Sequence, residues 1–460
     1  MKPDEDRSPR LRLYQKAISD VNMKIFEVMP PSNDLIHAPS EPKLDANPRF
    51  RRGHDTGSKR QKATSPIISN GPITPSEAKK AYSNFLTSYE LHEIDDFEEI
   101  YFVGHLNTKI RPRSCPSSNF GYDNAEHHLI INKGDQLAFR FEVKQVLGKG
   151  SFGQVLLCYD HKLQKNVAIK VIINTPQMYE QGCVEVALLQ HLNNSDPGSM
   201  HSIVQSYDCF IFRNHVCATF EVLGKNLYEY SRSIAFKPFR GAQLKSVAKQ
   251  MLTALDFCHS HGVLHCDIKP ENIAFLPGSS MNCRLIDFGS GCFKGREKYE
   301  YIQSRFYRAP EVILGVPYDT GMDIWSFACV IIELIIGRPI FPGNDEHEMI
   351  EMMMSVLGPV PQSLLKQSSR RDVFFNSNGS FIYSRKNQKR LAPGSFNIRT
   401  ATRIKDNALL SLLEKCLQWD QNKRISASEA LNHPWFDLKE VLVPTSARAP
   451  GLPSLSNKVR

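Results

Sequence analysis

Two polar motifs in the second half of this chain constrain its chemistry more than any other feature. The first reads HCDIKPENIAF and contains Asp267, Lys269 and Asn272, and the second reads RLIDFGSG and contains Asp287. Asp267 can accept the proton of an attacking hydroxyl and Lys269 can steady a transferring phosphoryl group, while Asn272 and Asp287 offer oxygen ligands to a magnesium ion. Phosphoryl transfer needs this division of labour because positioning and charge neutralisation lower most of its barrier. Both motifs precede an Ala-Pro-Glu triplet, and a chance occurrence of this order is negligible.

A glycine cluster, LGKGSFGQV, lies upstream and follows a predicted strand. Glycines let a backbone approach phosphate oxygens closely and present amide groups to them. Alone the pattern is weak evidence, because dinucleotide-binding folds share it. In those folds a helix follows the glycines. In this chain the strand-like runs VLLCYD and NVAIK follow instead. The residues of this segment that we expect to contact a nucleotide are Leu147, Gly148, Lys149, Gly150, Ser151, Phe152, Gly153 and Val155.

A lysine, Lys170, lies in the apolar run NVAIK, where a buried cation needs an anionic partner. The following helical segment GCVEVALLQHL offers Glu185. Lys170 would then contact nucleotide phosphates while Glu185 holds it in place. Either residue alone could equally be a surface lysine or a solvated glutamate. The glycine cluster upstream favours the catalytic interpretation.

Two tyrosines, Tyr299 and Tyr301, lie just upstream of Arg305 and Arg308 in the run KYEYIQSRFYRAPEVILG. A phosphorylated tyrosine carries about two negative charges and three acceptor oxygens, so it needs guanidinium groups within reach. The two arginines are candidates for that role. The alternative is a surface segment in which Tyr301 is a packed aromatic residue and Arg308 a structural ion-pair partner.

The composition suits a globular protein, since 41% of the 460 residues are hydrophobic. The formal net charge of +9 is weak evidence for nucleic-acid binding because charges of both signs are interspersed, so we expect no nucleic-acid partner. The charged start MKPDEDRSPRLRLYQ lacks the apolar core of a secretory signal, and no apolar run reaches the length of a membrane span. We therefore expect a cytoplasmic protein without membrane contact, with nuclear entry as an alternative if the basic clusters of RFRRGHDTGSKRQK act as an import signal.

Changes in composition divide the chain into four parts. We predict a disordered basic tail at 1–70, an accessory region at 71–140, a catalytic domain at 141–436 and a disordered tail at 437–460. The accessory region opens with Thr-Pro-Ser-Glu, so we expect an amphipathic helix from Thr74 whose apolar residues are Ala78, Ala81, Tyr82, Phe85 and Leu86. Within the catalytic domain we expect a β-rich lobe at 141–223 and a mainly helical lobe at 224–436. That second lobe should also contain short strand pairs around Asn272 to Asp287 and a polar insertion loop at about 366–404.

These motifs resemble those of the eukaryotic protein kinases from Phe141 to Phe436, within the CMGC group of cyclin-dependent and mitogen-activated kinases. HCD in place of the usual His-Arg-Asp, DFGSGC and YEYIQSRFYRAPEVILG are most similar to the dual-specificity tyrosine-phosphorylation-regulated kinases. The segments HEI, EIYFVG and GYD resemble the accessory region of that family's class II members. The resemblance implies an α+β, two-lobed protein kinase fold, with the accessory region docked on the small lobe. It also implies that ATP binds between the lobes with Mg²⁺, or with Mn²⁺ in its place.

The resemblance further implies a dual-specificity enzyme that phosphorylates its own Tyr301 during maturation and then acts on serine and threonine. In many kinases an arginine before the catalytic aspartate grips the activation-loop phosphate, but Cys266 stands there in this chain. Arg305 and Arg308 would therefore have to bind it. The remaining nucleotide contacts that the resemblance implies are Ala168 and Phe275 as apolar walls, Phe220 at the adenine pocket, and backbone groups of Glu221 and Leu223.

The resemblance implies that the partners are protein substrates. This family favours substrates with arginine shortly before the acceptor residue and proline just after it. Glu229 and Glu271 stand where they would meet that arginine, although exposed glutamates are commonly only solvated. We expect Glu311 to pair with Arg424 and Asp323 to brace the catalytic loop, and we expect a monomer. Two alternatives stay open: a pseudokinase scaffold that transfers no phosphate, and another CMGC-group serine/threonine kinase that only shares the tyrosine loop.

Overall fold

The computed structural model of the chain describes residues 63–69, 71–112, 119–297, 301–384 and 390–437. The predicted carboxyl-terminal tail beyond 437, most of the amino-terminal tail with its basic clusters, and Tyr299 lie outside these residues. The chain divides into two compact units. The first ends at Cys183 and also contains Asp208–Thr219, and the second contains Val184–Tyr207 and everything from Phe220 onward.

A six-stranded sheet forms the centre of the first unit, with the strand order β1-β2-β3-β4-β6-β5. Burial alternates along β3, as expected for a strand with one face on a core, while the apolar run of β4 is buried on both faces near its end. The bounds are β1 Gln136–Leu137, β2 Phe141–Gly150, β3 Gly153–Asp160, β4 Lys165–Ile172, β5 Ser206–Phe212 and β6 His215–Phe220.

The accessory region begins with the predicted helix, which is shorter than the sequence suggested. Helix α1 is capped by Thr74, whose side chain accepts from the Glu77 N–H while the Glu77 carboxylate accepts from the Thr74 N–H. The chain then bends through short turns rather than continuing as one helix. The bounds are α1 Pro75–Tyr82 and α2 Glu90–Glu93, with 3₁₀ turns at Ser83–Phe85, Ile94–Asp96, Leu106–Thr108 and Asn119–Gly121.

The accessory region shares its apolar core with the sheet. Tyr122 and Leu129 are buried in one cluster with Phe141, Val143 and Leu156 of β2 and β3. A second cluster joins α1 and the following turns to a fully buried phenylalanine in the turn between β1 and β2; its buried members are Ala78, Leu86, Ile94, Ile100, Val103 and Phe139. The docking that the resemblance implied is therefore present within this unit.

The second unit is mainly helical, as the sequence predicted. Helix α7 is buried along most of its length, is apolar on nearly every side and contains Trp325 with no exposed surface. The helices from the unit boundary onward are α3 Pro176–Ser195, α4 Leu227–Ser233, α5 Gly241–Ser260, α6 Pro310–Leu314, α7 Gly321–Ile336, α8 Glu346–Leu357, α9 Gln362–Leu365, α10 Arg371–Phe374, α11 Ile398–Thr402, α12 Asn407–Cys416 and α13 Ala427–Leu431. The 3₁₀ turns are Pro270–Asn272, Arg305–Tyr307 and Gln421–Lys423.

Two short antiparallel pairs frame the polar motifs. Strand β8 Ile273–Phe275 pairs with β9 Cys283–Leu285, which confirms the strand pair predicted there, and β7 Val263–Leu264 pairs with β10 Cys292–Phe293. The predicted insertion loop is partly structured, since it contains α10, α11 and a bridge between Phe375 and Phe381. Among the described residues, none of the helices combines the length and apolar character needed to cross a bilayer.

Candidate active site

The carboxylate of Asp267 lies at the centre of a hydrogen-bond network in the second unit. Its Oδ1 accepts from the backbone N–H of Ser304 at 3.0 Å and from the Ser304 hydroxyl at 2.8 Å. Its Oδ2 accepts from Lys269 Nζ at 2.6 Å and from Asn272 Nδ2 at 3.3 Å. Four donors thus fix the half-buried Asp267 carboxylate, and Lys269 pairs with it.

A buried aspartate holds the backbone of this loop in place. Asp323 of α7 accepts from the N–H groups of His265 and Cys266, both at 3.0 Å, and from His259 Nε2 at 3.1 Å. Burial acts to raise the pKa of Asp323, but the hydrogen bond and charge of His259 and the other donors hold it below its usual value. Cys266 adopts a positive φ of 65°, a conformation that a non-glycine residue keeps only when its surroundings enforce it. The predicted bracing role of Asp323 is confirmed.

The two predicted metal ligands come from neighbouring strands. Asn272 precedes β8 and Asp287 follows β9, and the Ile286 N–H donates to the Asn272 carbonyl at 2.9 Å. The Asn272 amide nitrogen donates to the Asp267 carbonyl at 2.9 Å, which leaves its Oδ1 as the atom that can face a cation. An amide oxygen and a carboxylate are ligands that Mg²⁺ accepts, so this donor set fits the ion.

The glycine-rich loop, residues 148–153, forms the turn of the β2–β3 hairpin in the first unit, where Gly150 pairs with Gly153. A Cβ at Gly153 would lie 2.2 Å from the carbonyl oxygen of Val171, so only glycine fits against β4. Lys170 lies on β4 directly opposite Val155, and Ala168 lies opposite Leu157. Lys149, Ser151 and Phe152 lie in the same turn, and Leu147 precedes it with an exposed side chain.

The remaining predicted nucleotide residues belong to the second unit. Phe220 is buried at the end of β6, and Phe275 is buried in β8. The Glu221 N–H donates to the Gln205 carbonyl at 3.0 Å, and Leu223 follows at a partly exposed position. Glu185 lies on the part of α3 that belongs to this unit, whereas Lys170 belongs to the first, so the predicted ion pair of these two residues stays a prediction.

The tyrosine loop contains one exposed ring and two differently engaged arginines. Tyr301 is 67% exposed, and the Arg308 guanidinium stacks over its ring at 3.9 Å. Arg308 is itself buried; it donates to the carbonyls of Ile302 and Gln303 and pairs with Glu346 at 2.9 Å. The exposed Arg305 donates through Nη1 to the Asn344 carbonyl. Arg308 is therefore a structural residue of the loop, and Tyr301 is not a packed aromatic residue.

Sequence reasoning missed Gln303 and Ser304, which lie between Tyr301 and Arg305 in the tyrosine loop. Ser304 supplies two of the four donors to the Asp267 carboxylate. Gln303 has a positive φ of 63°, and its buried side chain bonds to Ser326 Oγ, the Met322 carbonyl and the Ala309 N–H. Both lie in the quoted run QSRFYRAPE, but nothing in their type or spacing signals these contacts.

The predicted substrate glutamates differ in environment, and a third carboxylate was missed. Glu229 closes a capping box with Asn226 at the start of α4, while Glu271 is exposed. A small pocket beside Pro270 contains Glu333, which accepts from the Tyr307 hydroxyl at 2.7 Å. Burial raises the pKa of Glu333 to about 7, against the Tyr307 hydrogen bond, and the Glu271 charge adds to the rise. Glu333 was missed because it lies within the apolar run of α7.

A buried ion pair joins α6 to a distant part of the second unit. Arg424 Nη1 and Nη2 donate to the two carboxylate oxygens of Glu311 at 2.5 and 2.6 Å, and both side chains have no exposed surface. The Arg424 side chain also donates to the carbonyls of Gln418 and Gly321. The predicted pair is confirmed.

The protein kinase domain model matches residues 141–436. The chain belongs to the protein kinase family. Its match to dual specificity tyrosine-phosphorylation-regulated kinase 3 of Mus musculus is 40% identical over 398 residues, covering 83% of this chain and 68% of that protein. The Homo sapiens kinase of the same name is 41% identical over 79% of this chain and 65% of its own length. Dual specificity tyrosine-phosphorylation-regulated kinase 2 of Drosophila melanogaster is 36% identical over 85% of this chain and 55% of its own length.

These matches confirm the predicted family, fold and activity class. The chain is a member of the dual-specificity tyrosine-phosphorylation-regulated kinases of the CMGC group, and it is a protein kinase with a two-lobed fold. Such kinases use ATP and a divalent metal. The comparisons give no support to the pseudokinase alternative. This kinase spans about two thirds of the length of the vertebrate relatives that it matches.

Proposed function

We propose that this kinase phosphorylates its own Tyr301 and then transfers the γ-phosphate of ATP to serine and threonine in substrates with arginine before the acceptor and proline after it. The observation that carries the proposal is the network around Asp267. A carboxylate that four donors fix in one orientation is preorganised to accept the proton of a substrate hydroxyl. Lys269, 2.6 Å from that carboxylate, lies where it can also neutralise charge on the transferring group.

The nucleotide would be held by groups from several segments. The amides of the glycine-rich loop and Lys170 would contact its phosphates, and Glu185 would orient Lys170. Because the Glu221 N–H already bonds to Gln205, we assign its carbonyl, together with the Leu223 N–H, to the adenine base. Asn272 Oδ1 and the Asp287 carboxylate would hold Mg²⁺ or Mn²⁺, and the ion supplies charge neutralisation at the phosphates.

The tyrosine loop supports self-phosphorylation because the Tyr301 ring is exposed and lies against the Arg308 guanidinium. Arg308 is already engaged by two carbonyls and Glu346, so a phosphate on Tyr301 would have to displace Glu346 to reach it. Arg305 is exposed and therefore the more accessible phosphate partner. A phosphate bound in this way would fix the loop that carries Ser304.

The geometry of Gln303 supports the proposed preference for proline. Its carbonyl accepts from Arg308 Nε at 3.3 Å and Nη2 at 2.9 Å, so it is occupied within the protein. Ser304, the next residue, contacts Asp267, and a bound substrate would therefore pass close to Gln303. The backbone N–H of most substrate residues at this position would lack an acceptor, because the Gln303 carbonyl is already hydrogen-bonded. Proline has no backbone N–H, so it loses no hydrogen bond there.

Arginine recognition is best assigned to Glu271 and Glu333 together. The charge of Glu271 contributes to the raised pKa of Glu333, so the two carboxyl groups interact electrostatically and both favour a cation nearby. The aromatic ring of Tyr228 and the aliphatic part of Lys237 line the same pocket and can pack on the arginine stem.

Mass spectrometry and a transfer assay test this function. The chain expressed in bacteria should carry phosphate on Tyr301, and the Asp287→Asn variant, which loses a metal ligand but keeps its size, should not. The wild-type protein should label a serine peptide with arginine and proline at the two positions, and replacing either residue by alanine should raise KM. An unmodified Tyr301 in an enzyme that labels the peptide would refute self-phosphorylation, and no labelling with either metal would refute the assignment of the catalytic residues.

A further inference from the structure

We propose that Asp123 of the accessory region is a positioning residue for ATP binding, which acts through His215 and Asn174 on the end of β4 that holds the glycine-rich loop. This role rests on the proposed function, because it assumes that the glycine-rich loop contacts ATP. It gives the accessory region a direct part in nucleotide affinity beyond its packing on the sheet.

The Asp123 carboxylate gathers donors from three separate segments. Its Oδ1 accepts from His215 Nε2 at 2.9 Å and from Asn119 Nδ2 at 3.0 Å, and its Oδ2 accepts from Asn174 Nδ2 at 2.9 Å. The side chain is only 2% exposed. Burial acts to raise the pKa of Asp123, but these hydrogen bonds hold it below its usual value, so the group is ionised.

His215, at the start of β6, transmits this contact to β4. Its Nδ1 lies 2.6 Å from the Ile172 carbonyl and its Nε2 faces the Asp123 carboxylate. Its two ring nitrogens therefore link the Asp123 carboxylate to the Ile172 carbonyl at the end of β4. Since His215 has no exposed surface, both contacts are shielded from water.

The end of β4 is in turn bonded to the glycine-rich loop. Ile172 pairs with Gly153 across β3 and β4, and the Ile173 N–H donates to the Phe152 carbonyl at 3.1 Å. Lys170 lies two residues before Ile172 on the same strand. Any displacement of residues 172–174 therefore moves both groups that we assign to the phosphates.

The same accessory segment reaches the loop by a second route. Gln154, directly after the loop, donates from Nε2 to the Leu129 carbonyl at 2.6 Å, and the Asn174 N–H donates to the His127 carbonyl at 3.0 Å. The segment from Asp123 to Leu129 is thus bonded to β3 directly after the loop and to Asn174 just beyond the end of β4. Two independent contacts converge on one nucleotide-binding element.

The test exchanges the two side chains that face each other. In the full chain, Asn174→Asp places a second carboxylate against Asp123 Oδ2. In the double variant Asp123→Asn/Asn174→Asp, the new amide nitrogen at position 123 donates to the new carboxylate at position 174. Its amide Oδ1 can still accept from His215 and Asn119. Gln154→Met removes the second contact at nearly constant volume. Asp95→Asn is the matched control, since this accessory-region aspartate pairs only at the surface with Lys79. KM for ATP, kcat with a peptide, and melting temperature are measured for each.

We expect Asn174→Asp to raise KM for ATP at least about fivefold, a coupling typical of linked sites, and the double variant to return it to within twofold of wild type. Gln154→Met should also raise KM, and Asp95→Asn should leave it unchanged. A purely structural role would lower melting temperature and apparent kcat through loss of folded enzyme and leave KM unchanged, and that result would overturn the proposal. If Asn174→Asp does not fold, an unchanged KM in Gln154→Met has the same meaning. A wild-type chain that transfers no phosphate would instead refute the proposed function.

Discussion

At the scale of single residues, Glu333 is a buried carboxyl group whose raised pKa bears on its proposed role in binding the arginine of a substrate. Burial and the neighbouring Glu271 charge raise its pKa to about 7, so near neutral pH it is only partly ionised. A carboxyl with a raised pKa gives up its proton when a cation binds. The arginine of a substrate would supply that cation and favour the ionised form.

The pH dependence of peptide binding tests this role. Between pH 6 and pH 8 the ionised fraction of a group with a pKa of about 7 rises from about 10% to about 90%. KM for the arginine peptide should therefore fall about tenfold over this range, because the ionised form binds arginine. The Glu333→Gln variant should have a higher KM at pH 8 and no such fall. A peptide with alanine in place of arginine is the control, and the same pH dependence with it would exclude Glu333 as the arginine ligand.

At the scale of elements, the pair of Glu311 and Arg424 holds α6 to the turn before α13. Each side chain is fully buried and each is the ionic partner of the other, so removal of one leaves an unpaired charge without water. Since α6 directly follows the loop with Ser304 and Arg308, its position also bears on the loop.

Loss of this pair should be costly in proportion to its burial. We expect Arg424→Met to lower the free energy of unfolding by about 3–5 kcal/mol. Arg371→Met, which breaks the exposed pair with Asp372, should change it by at most about 1 kcal/mol. Thermal melting of the three proteins side by side measures the difference. Equal melting temperatures for the two variants would contradict a stabilising role for the buried pair.

At the scale of the whole molecule, the accessory region is joined to the kinase strands by charges as well as by an apolar core. Arg213, in the turn between β5 and β6, pairs with Glu93 at 2.9 Å and Glu90 at 3.5 Å and stacks over the Tyr122 ring at 3.8 Å. Lys109 pairs with Glu90 at 2.6 Å in the same buried cluster. Burial would lower the pKa of Arg213, but the two glutamates raise it, so the charge persists.

Removal of the Arg213 charge should therefore loosen the accessory region. We expect Arg213→Met to destabilise the first unit by about 3–5 kcal/mol, because Glu93 is then buried without its partner. Lys162→Met breaks a half-exposed pair with Glu99 that also joins the two regions, and it should cost at most about 1 kcal/mol. Limited proteolysis is the readout: cleavage within 71–140 should accelerate in the first variant only. Equal cleavage rates in both would show that the apolar clusters alone hold the region.

Local sequence was sufficient for the elements whose signal is a motif or a period. The capping box at Thr74, the glycine-rich turn, the β8–β9 pair and the helical second unit all follow from residue types at fixed spacing. The helix expected from Thr74 ends at Tyr82, before the apolar positions Phe85 and Leu86, because the chain beyond it bends through turns and buries its apolar residues around Phe139. A period in sequence does not say what an apolar side chain will pack against.

The sequence by itself determined the family and its chemistry, and it predicted Asp267, Asn272 and Asp287 as site residues, because phosphoryl transfer restricts both residue type and spacing. Only the tertiary structure decided that Ser304 holds Asp267, that Arg308 is buried in the loop, and that Asp123 reaches β4. These are contacts between polar residues distant in the chain. Their energies depend on burial and on which donor meets which acceptor, and both quantities exist only once the chain has folded.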